Sequence, residues 1–410
     1  MTQTNWEGEY HLLQRRLEDE GIDVSSVEER LKAQRVETPS WGYADSGTRF
    51  GVFRQPGAPR NVRQKFEDAA QAHRFTGIAP GVAVHIPWDA GEDWSELAQY
   101  ATSLGVHIGA VNPNVFQDYE YRFGSLANEK AEVRKKAVAH ILECVEIMRT
   151  VGSPLLSLWF ADGTNFPGQG DIRARKRHFQ EGLAEVYAAM DDGQTMLIEY
   201  KPFEPAFYHT DIADWGMAYA FCRHLGPRAK VLVDLGHHLP GANIEHIVAF
   251  LLDEGRLGGF HFNNRKYADD DLTTGAINPY ELFLIYTELV AGERDGIAGD
   301  VAYMIDESHT LKNKIAEMIQ SLVALQASYA KALIVNRAKL AEARDAQDLI
   351  GAEEIYKAAF ATDVRPLVWK VRCDLDLPDP ADPVRGFRQS GYAEAKAQER
   401  GVGGTSGLGA

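Results

Sequence analysis

Acidic and imidazole side chains stand at the ends of short apolar runs in this chain, where they could bind a metal ion. The run VLVDL ends in Asp234, and His237 follows three residues later. The run MLIEYKP carries Glu199 and Lys201, which share a face in a strand because residues two apart point the same way. Burying one unpaired charge costs several kcal/mol, so Asp234 requires a partner.

Two later runs add further groups of the same kind. GGFHFNN contains His261 and leads into RKYADDDL with Asp269 and Asp271, and VAYMIDES ends with Asp306 and Ser308. So many carboxylates in one place repel each other unless cations compensate them. Carboxylate oxygens with one or two imidazoles suit Mn²⁺, Mg²⁺ or Co²⁺ better than a thiolate zinc site. Because the set exceeds the needs of one octahedral ion, we predict two ions that share a bridging carboxylate.

A structural explanation exists for each of these residues taken alone. An Asp at a strand end often caps the next helix, a single His is often a satisfied core group, and a DDD loop is usually solvated. Four consecutive strands that each end in a metal-capable residue are hard to explain by capping. The joint pattern therefore favours a metal centre.

Apolar runs of strand length recur along the chain and alternate with helical patterns. They cover residues 48–53, 81–87, 106–113, 155–161, 196–202, 231–236, 258–264 and 301–308. Alternating strands and helices predict a parallel sheet covered by helices. Eight such units within about 250 residues favour an α/β fold of the (β/α)8 TIM barrel type, with an open doubly wound sheet as the alternative. In a barrel, the polar strand ends would meet at the face that carries active sites.

The flanking segments predict extensions to the barrel. Residues 1–45 are expected to form an N-terminal helical extension, residues 46–330 the catalytic barrel, and residues 331–410 a C-terminal helical and irregular extension. The Pro, Gly and Ser content of the tail from residue 376 predicts irregular structure with a disordered end. We expect the extensions to make subunit contacts.

Composition limits the classes of partner. A formal net charge of −16 argues against a surface for nucleic acid or anionic membranes. We find no secretory signal, no apolar run of membrane-spanning length and no Gly-rich phosphate loop. Cys144, Cys222 and Cys373 are scattered without a CxxC pair and fit reduced thiols. We therefore expect a cytoplasmic protein with no nucleic-acid or membrane partner.

The chain resembles the xylose isomerase-like barrel superfamily and, within it, the bacterial L-rhamnose isomerases of broad sugar specificity. The resemblance rests on the Glu-x-Lys of the fifth run, the Asp-x-x-His of the sixth, the His of the seventh, the Asp-x-Asp of its loop and the Asp of the eighth. The stretches HIPWD, NPNVFQDYEYRFGSL, LWFADGTNFPGQGD and DLGHHLPGANIEHIV are also similar. The resemblance extends over roughly residues 40–330.

This resemblance implies a ligand set for each of two divalent cations, with Mn²⁺ expected first. The ligands of the first ion would be Glu199, Asp234, His261 and Asp306, and those of the second Asp234, His237, Asp269 and Asp271. Asp234 would therefore bridge the two ions. His261 stands where classical xylose isomerase has a carboxylate, and Asp234 where it has a Glu; both departures agree with the rhamnose branch.

The implied activity interconverts L-rhamnose and L-rhamnulose by a metal-assisted hydride shift between C1 and C2, with other aldoses such as D-allose as further substrates. Lys201 would donate to O1 as negative charge develops there, and Asp306 would serve catalysis as well as metal binding. His85 is a candidate for opening the sugar ring or holding a hydroxyl, with a buried structural histidine as the alternative. The same resemblance implies a homotetramer.

Six more side chains are expected at the sugar. The aromatic ones, which would offer apolar faces to the ring and its C6 end, are Trp41, Trp88, Phe116 and Trp159. Asn263 and Ser308 are expected to contact the substrate or a water beside it.

Other functions fit the same barrel less well. A ketose 3-epimerase needs two acid–base carboxylates flanking one carbon, and Glu307, next to Asp306, should point away from the mouth. A metal-dependent phosphodiesterase or endonuclease would prefer more His and a basic surface. A non-catalytic sugar-binding barrel has no need of Lys201 or of a complete ligand set.

Overall fold

Eight parallel strands form the centre of the computed structural model, which describes residues 5–46, 53–91 and 93–402. The strands are β1 Thr38–Pro39, β2 Gly81–Ile86, β3 His107–Pro113, β4 Leu155–Leu158, β5 Thr195–Glu199, β6 Ala229–Asp234, β7 Leu257–Phe262 and β8 Ala302–Ile305. Each pairs with its neighbour in chain order. Glu37, just before β1, pairs with Met304 of β8 and nearly closes the ring. The predicted barrel is confirmed.

Helices follow the strands in the order that a barrel requires. Those between or after the strands are α3 Ser40–Tyr43, α4 Val62–Thr76, α5 Trp94–Ser103, α6 Ala131–Val151, α7 Ile172–Ala189, α8 Trp215–Leu225, α9 Ile244–Asp253, α10 Pro279–Arg294 and α11 Lys314–Leu333. Most begin at an Asn or Asp whose side chain accepts a backbone N–H of the first turn, as Asn243 does for α9. A short antiparallel pair, Gly163–Thr164 with His209–Thr210, joins two loops at the carboxyl face.

The first strand lies earlier than we predicted. It consists of Thr38 and Pro39, inside the segment expected to be a helical extension. Of the predicted run 48–53, only Phe53 belongs to the described residues, and it is not in a strand. The prediction missed this strand because two residues, one of them a proline, are too few to show a periodic pattern. It chose TRFGVF instead because that run has the aromatic and β-branched residues typical of strands.

The extensions are helical on both sides of the barrel. Their helices are α1 Trp6–Asp19, α2 Val24–Ala33, α12 Arg337–Asp345, α13 Leu349–Ala361, α14 Arg365–Asp374, α15 Pro383–Gln389 and α16 Tyr392–Arg400. α14 packs against α1 and α2, and α15 against α4 and α11. Our prediction of an irregular tail is wrong for residues 383–400, which form α15 and α16. Pro383 does not prevent this, because it stands in the first turn of α15, where proline is tolerated. The predicted disordered end falls mostly on residues 403–410, outside the described residues.

Within the described residues, no single helix has the length and apolar character to cross a membrane. The bent pair of α11 and α12, at 56°, meets those two criteria only when taken together.

The barrel interior is built in layers, and the upper layer is polar. Ala83, Ala110, Leu197, Leu232 and Met304 form a buried cluster inside the ring. Strand residues two apart share a face, so the next inward positions on the same strands lie one layer higher. Those positions are His85, Asn112, Glu199, Asp234 and Asp306. The fold therefore brings the carboxylates and imidazoles of separate strands to one end of the barrel.

Candidate active site

A cavity of about 430 Å³ opens at the carboxyl ends of the strands. The predicted residues that line it are Trp41, His85, Trp88, Phe116, Trp159, Glu199, Lys201, His237, His261, Asp269, Asp271 and Asp306. A larger cavity of about 710 Å³ lies at the opposite end, beside Arg30, Glu37 and Tyr303. Among the described residues, none of the side-chain clusters that could hold a metal ion lies in this larger cavity.

Two groups of potential metal ligands meet at Asp234. Glu199, Asp234 and His261 place one ligand atom each within 4.8 Å of one another, and so do Asp234, His237 and Asp269. His261 Nδ1 lies 3.2 Å from Glu199 Oε1, and His237 Nε2 lies 3.6 Å from Asp269 Oδ2. The chain therefore gathers two adjoining sets that share one carboxylate.

The remaining two predicted ligands border these sets. Asp306 Oδ2 lies 3.9 Å from His261 Nδ1. Asp271 lines the same cavity and has a left-handed φ of 43°, an uncommon backbone conformation for a residue other than glycine. Such conformations persist where the surrounding structure imposes them, and they cluster at functional sites.

Two oxygens in this cluster have no hydrogen-bond partner. Asp234 Oδ2 and Asp269 Oδ1 are buried and accept no hydrogen bond from the described residues, and Asp234 Oδ2 lies 3.6 Å from His261 Nδ1. Asp234 does not cap a helix, since Asn243 caps α9; its other oxygen accepts from Gly236 N at 2.7 Å and Asn263 Nδ2 at 3.0 Å. Unpaired carboxylate oxygens beside imidazoles are the ligands that a divalent cation prefers, so the residues present fit a metal centre.

Ionisation in the cluster reflects the crowding of negative charge. Burial, then the nearby Glu199 and Asp234 carboxylates, raises the pKa of Asp306 to about 7, with partial opposition from His261. Burial would lower the pKa of His261, but the carboxylates, Glu199 foremost, raise it to about 9. Burial and the Asp269 carboxylate hold the pKa of Asp271 well above its ordinary value. Without a cation, the cluster therefore retains protons that a metal would displace.

Lys201 projects into the cavity beside the acidic cluster. Its Nζ donates to Asp269 Oδ2 at 2.6 Å and lies 5.2 Å from the centre of the Trp159 ring. Burial alone would lower the pKa of this ammonium, but Asp269 outweighs burial, so the pKa is raised. Lys201 is therefore a charged donor held next to potential metal ligands.

His85 lies across the cavity on β2 and stacks on Trp88, with ring centres 5.3 Å apart. Burial lowers its pKa to about 3, so the imidazole is neutral near pH 7, and its Nδ1 has no hydrogen-bond partner. The backbone N–H of His85 donates to Asp89, which forms a buried ion pair with Lys65 at 2.6 Å. A neutral ring on a fixed strand can exchange a proton with a bound molecule.

Aromatic rings form the wall between His85 and Lys201. The Phe116 ring contacts Trp88 at 6.0 Å and Trp159 at 4.6 Å, both edge to face. Trp41 Nε1 donates to Asp306 Oδ1 at 2.9 Å. The wall offers flat apolar surface next to polar groups, which is how proteins commonly bind sugar rings and other amphipathic small molecules.

Two predicted contact residues lie outside the cavity lining. Asn263 supports the cluster from below, since its Nδ2 donates to Asp234 Oδ1 at 3.0 Å and to the backbone oxygen of Asp306 at 3.3 Å. Ser308 is buried near the segment after β1. Lys314 Nζ, at the start of α11, donates to the Ser308 hydroxyl at 2.7 Å. Both residues therefore contact the side chains and backbone that surround the site, and neither lines the cavity.

Sequence reasoning missed several residues that line the cavity. They are Asn112, Pro113, Gln117, Ser157, Ala161, Glu204 and Pro205. Asn112 and Ser157 follow inward-facing residues of β3 and β4 by two, so strand alternation was the signal that could have found them. Glu204, whose Oε2 lies 3.9 Å from Lys201 Nζ, stands in a loop with no such pattern.

Comparison with known proteins gives a consistent result. The sequence model of the family described as xylose isomerase-like TIM barrel matches residues 66–284. A probable sugar isomerase of Rhizobium meliloti (strain 1021) is 43% identical over 398 residues, which cover 96% of this chain and 92% of that protein. A probable sugar isomerase of Mesorhizobium japonicum is 42% identical over 400 residues, with the same two coverages of 96% and 92%.

Among solved structures, an L-ribulose 3-epimerase superposes with a TM-score of 0.54 at 15% identity. The match covers 74% of this chain and 98% of that structure. At this identity the similarity concerns the fold.

Proposed function

Because the chain belongs to the xylose isomerase-like TIM barrel family, we propose that it is a metal-dependent aldose–ketose isomerase that interconverts L-rhamnose and L-rhamnulose. At the coarser level, it is a sugar isomerase or epimerase of that family. The observation that carries the finer proposal is the pair of ligand sets sharing Asp234, with the Lys201 ammonium beside them. Other aldoses, such as D-allose, belong to the proposed substrates.

The metal proposal assigns every member of the cluster. The first ion would be held by Glu199, Asp234, His261 and Asp306, and the second by Asp234, His237, Asp269 and Asp271. We propose Mn²⁺, with Mg²⁺ or Co²⁺ as substitutes, because oxygen ligands with few imidazoles suit these ions. When bound, such ions polarise a carbonyl and lower the pKa of a coordinated hydroxyl, which favours hydride shift between C1 and C2.

The chain's own groups supply binding, orientation and proton positions. The Lys201 ammonium faces the cavity and would donate to O1 as negative charge develops on it. The neutral His85 ring, on the opposite wall, would exchange a proton with the ring oxygen or a hydroxyl when the sugar opens. Trp88, Phe116 and Trp159 would exclude water from the carbon skeleton and its C6 end.

Ketose 3-epimerisation is the alternative within the family. Acid–base chemistry on both faces of one carbon requires two carboxylates that reach the cavity. Glu307 is fully buried outside the cavity lining and accepts hydrogen bonds from Thr274. Glu307 therefore does not supply the second carboxylate beside Asp306. The isomerase proposal assigns the cavity carboxylates Glu199, Asp269, Asp271 and Asp306 to the two ions, and this assignment is what separates it from an epimerase.

We also propose that the protein acts in the cytoplasm as a homotetramer on free sugars, with no nucleic-acid or membrane partner. The acidic charge of −16 supports the absence of a nucleic-acid surface.

The test is ketose formation from L-rhamnose by protein treated with a chelator and then resupplied with Mn²⁺. We expect L-rhamnulose only after Mn²⁺ is restored. Turnover of D-allose without turnover of L-rhamnose would retain the reaction and replace the substrate. A ketose epimerised at C3, with every aldose left unchanged, would refute the isomerase proposal.

A further inference from the structure

A third cluster of metal-capable side chains lies behind the candidate active site. Glu307 and His309 follow β8, and Glu317 stands in the first turn of α11. One ligand atom from each of these three side chains lies within 4.8 Å of the other two. None of the three lines the substrate cavity. The cluster is therefore separate from the two ligand sets that share Asp234.

An unpaired oxygen points into this cluster. Glu307 is fully buried, and its Oε2 accepts from the backbone N and the hydroxyl of Thr274 at 3.0 and 3.1 Å. Its Oε1 has no hydrogen-bond partner among the described residues. A buried acceptor left without a partner costs about 1–3 kcal/mol, and more when it is charged. Either a proton shared with Glu317 or a cation must therefore stand next to Glu307 Oε1.

The second carboxylate of the cluster increases this requirement. Glu317 is 3% exposed, and its Oε1 lies 3.3 Å from both Ser321 Oγ and His309 Nε2. Two carboxyl groups this close either share a proton, so that only one is ionised, or are both ionised around a cation. Lys312 does not supply the charge directly: its Nζ donates to Thr273 and, at 3.1 Å, to Gln320, and in the described part of the chain it makes no ion pair with either Glu.

We propose that Glu307, His309 and Glu317 bind a divalent cation of the Mn²⁺ or Zn²⁺ class. Two carboxylate oxygens and one imidazole nitrogen are a common donor set for such ions, and water completes the coordination. His309 is partly exposed, with 17% of its side chain accessible, and gives the ion a path from solvent.

This ion would have a structural role that the proposed sugar chemistry does not include. Thr273 and Thr274 directly follow the loop that carries Asp269 and Asp271, and Thr274 is bonded to Glu307. A cation at the cluster would therefore fasten that loop to the end of β8 and to α11. Its presence does not depend on which sugar, or which reaction, the active site serves.

The test counts bound Mn²⁺ per chain after metal loading and gel filtration. Glu307→Gln keeps an acceptor for Thr274 and gives an amide N–H to Glu317, so it reproduces a shared proton but weakens cation binding. We expect Glu307→Gln and His309→Asn each to bind one Mn²⁺ fewer per chain than the wild type. Glu281→Gln, on α10, is the matched control and should keep the wild-type count.

An unchanged count in both variants would overturn the proposal and assign a shared proton to the cluster. Because the count is a difference from the wild type, it does not depend on how many ions the active site holds. If the variants do not fold, anomalous diffraction at the Mn edge from crystals of the metal-loaded wild type decides the question. A peak at Glu307 Oε1 supports the site, and its absence while peaks stand at Asp234 refutes it.

Discussion

The side chain of Lys201 offers the most direct test at the scale of single residues. Its Nζ is held 2.6 Å from Asp269 Oδ2 inside the cavity. Loss of one donor to a developing oxyanion commonly costs about 10²–10³ in kcat. We expect Lys201→Met to lower kcat for L-rhamnose by that factor while Mn²⁺ is still bound, as measured by steady-state assays and metal analysis.

The matched control for that variant is Lys266→Met. Lys266 is exposed on the same face of the barrel and lies over Tyr267, outside the cavity lining. It should retain wild-type kcat. Equal rates for Lys201→Met and the wild type would remove Lys201 from the mechanism.

Metal affinity should depend on pH because protons compete for the same ligands. The metal-free pKa values of Asp306 and His261 are raised to about 7 and about 9. Both groups must lose their protons to bind a cation, so affinity rises with pH. Between about pH 6 and 8 we expect the Kd for Mn²⁺ to fall by roughly tenfold per pH unit or more, measured by titration of the free Mn²⁺ signal. A Kd independent of pH would contradict these ionisation states.

At the scale of secondary-structure elements, a buried ion pair joins α4 to the end of β2. Lys65 Nζ lies 2.6 Å from Asp89 Oδ1, and Asp89 Oδ2 accepts from the backbone N–H of His85. Removing one partner of a buried pair costs about 3–5 kcal/mol, because the other charge is left uncompensated. We expect Lys65→Met to lower the free energy of unfolding by that amount in urea titrations.

The comparison for that variant is Lys136→Met, which breaks two exposed ion pairs, with Asp118 and Glu120, on the protein surface. Exposed pairs contribute about 0–1 kcal/mol, so this variant should unfold nearly like the wild type. Equal losses of unfolding free energy in the two variants would show that the buried ion pair stabilises the fold no more than an exposed one.

The sequence predicted seven of the eight strands and the helices between them because their hydrophobic periods are long enough to detect. β1 escaped because Thr38 and Pro39 are held by their neighbours in the ring and not by any pattern of their own. The metal-capable residues could be singled out because each stands in the last residues of a strand or in the loop that follows it. The place of Glu204 in the cavity lining and the hydrogen bonds of Asn263 to Asp234 and Asp306 were not predicted, since loop paths and supporting contacts depend on tertiary packing.

At the scale of the whole molecule, exposed aromatic rings stand in the segments that leave the carboxyl ends of the strands. Tyr119, Phe166, Phe207 and Tyr267 lie in the segments that follow β3, β4, β5 and β7 and are 75%, 72%, 77% and 76% exposed. Apolar side chains grouped on one face are typical of surfaces that another chain covers. We expect light scattering to give the mass of four chains. A mass of 45.5 kDa across concentrations would refute the tetramer.

The hydrogen bond from Trp41 to Asp306 joins residues that are 265 positions apart in the chain. A ribosome synthesises the first of these long before the second, so the carboxylate at the end of β8 reaches its place only when the ring closes. Glu199, Asp234 and His261 are made earlier, yet their ion would lack Asp306 until then. The proposed first ion would therefore gain its complete ligand set only when β8 joins the ring, so its full binding would report a finished barrel.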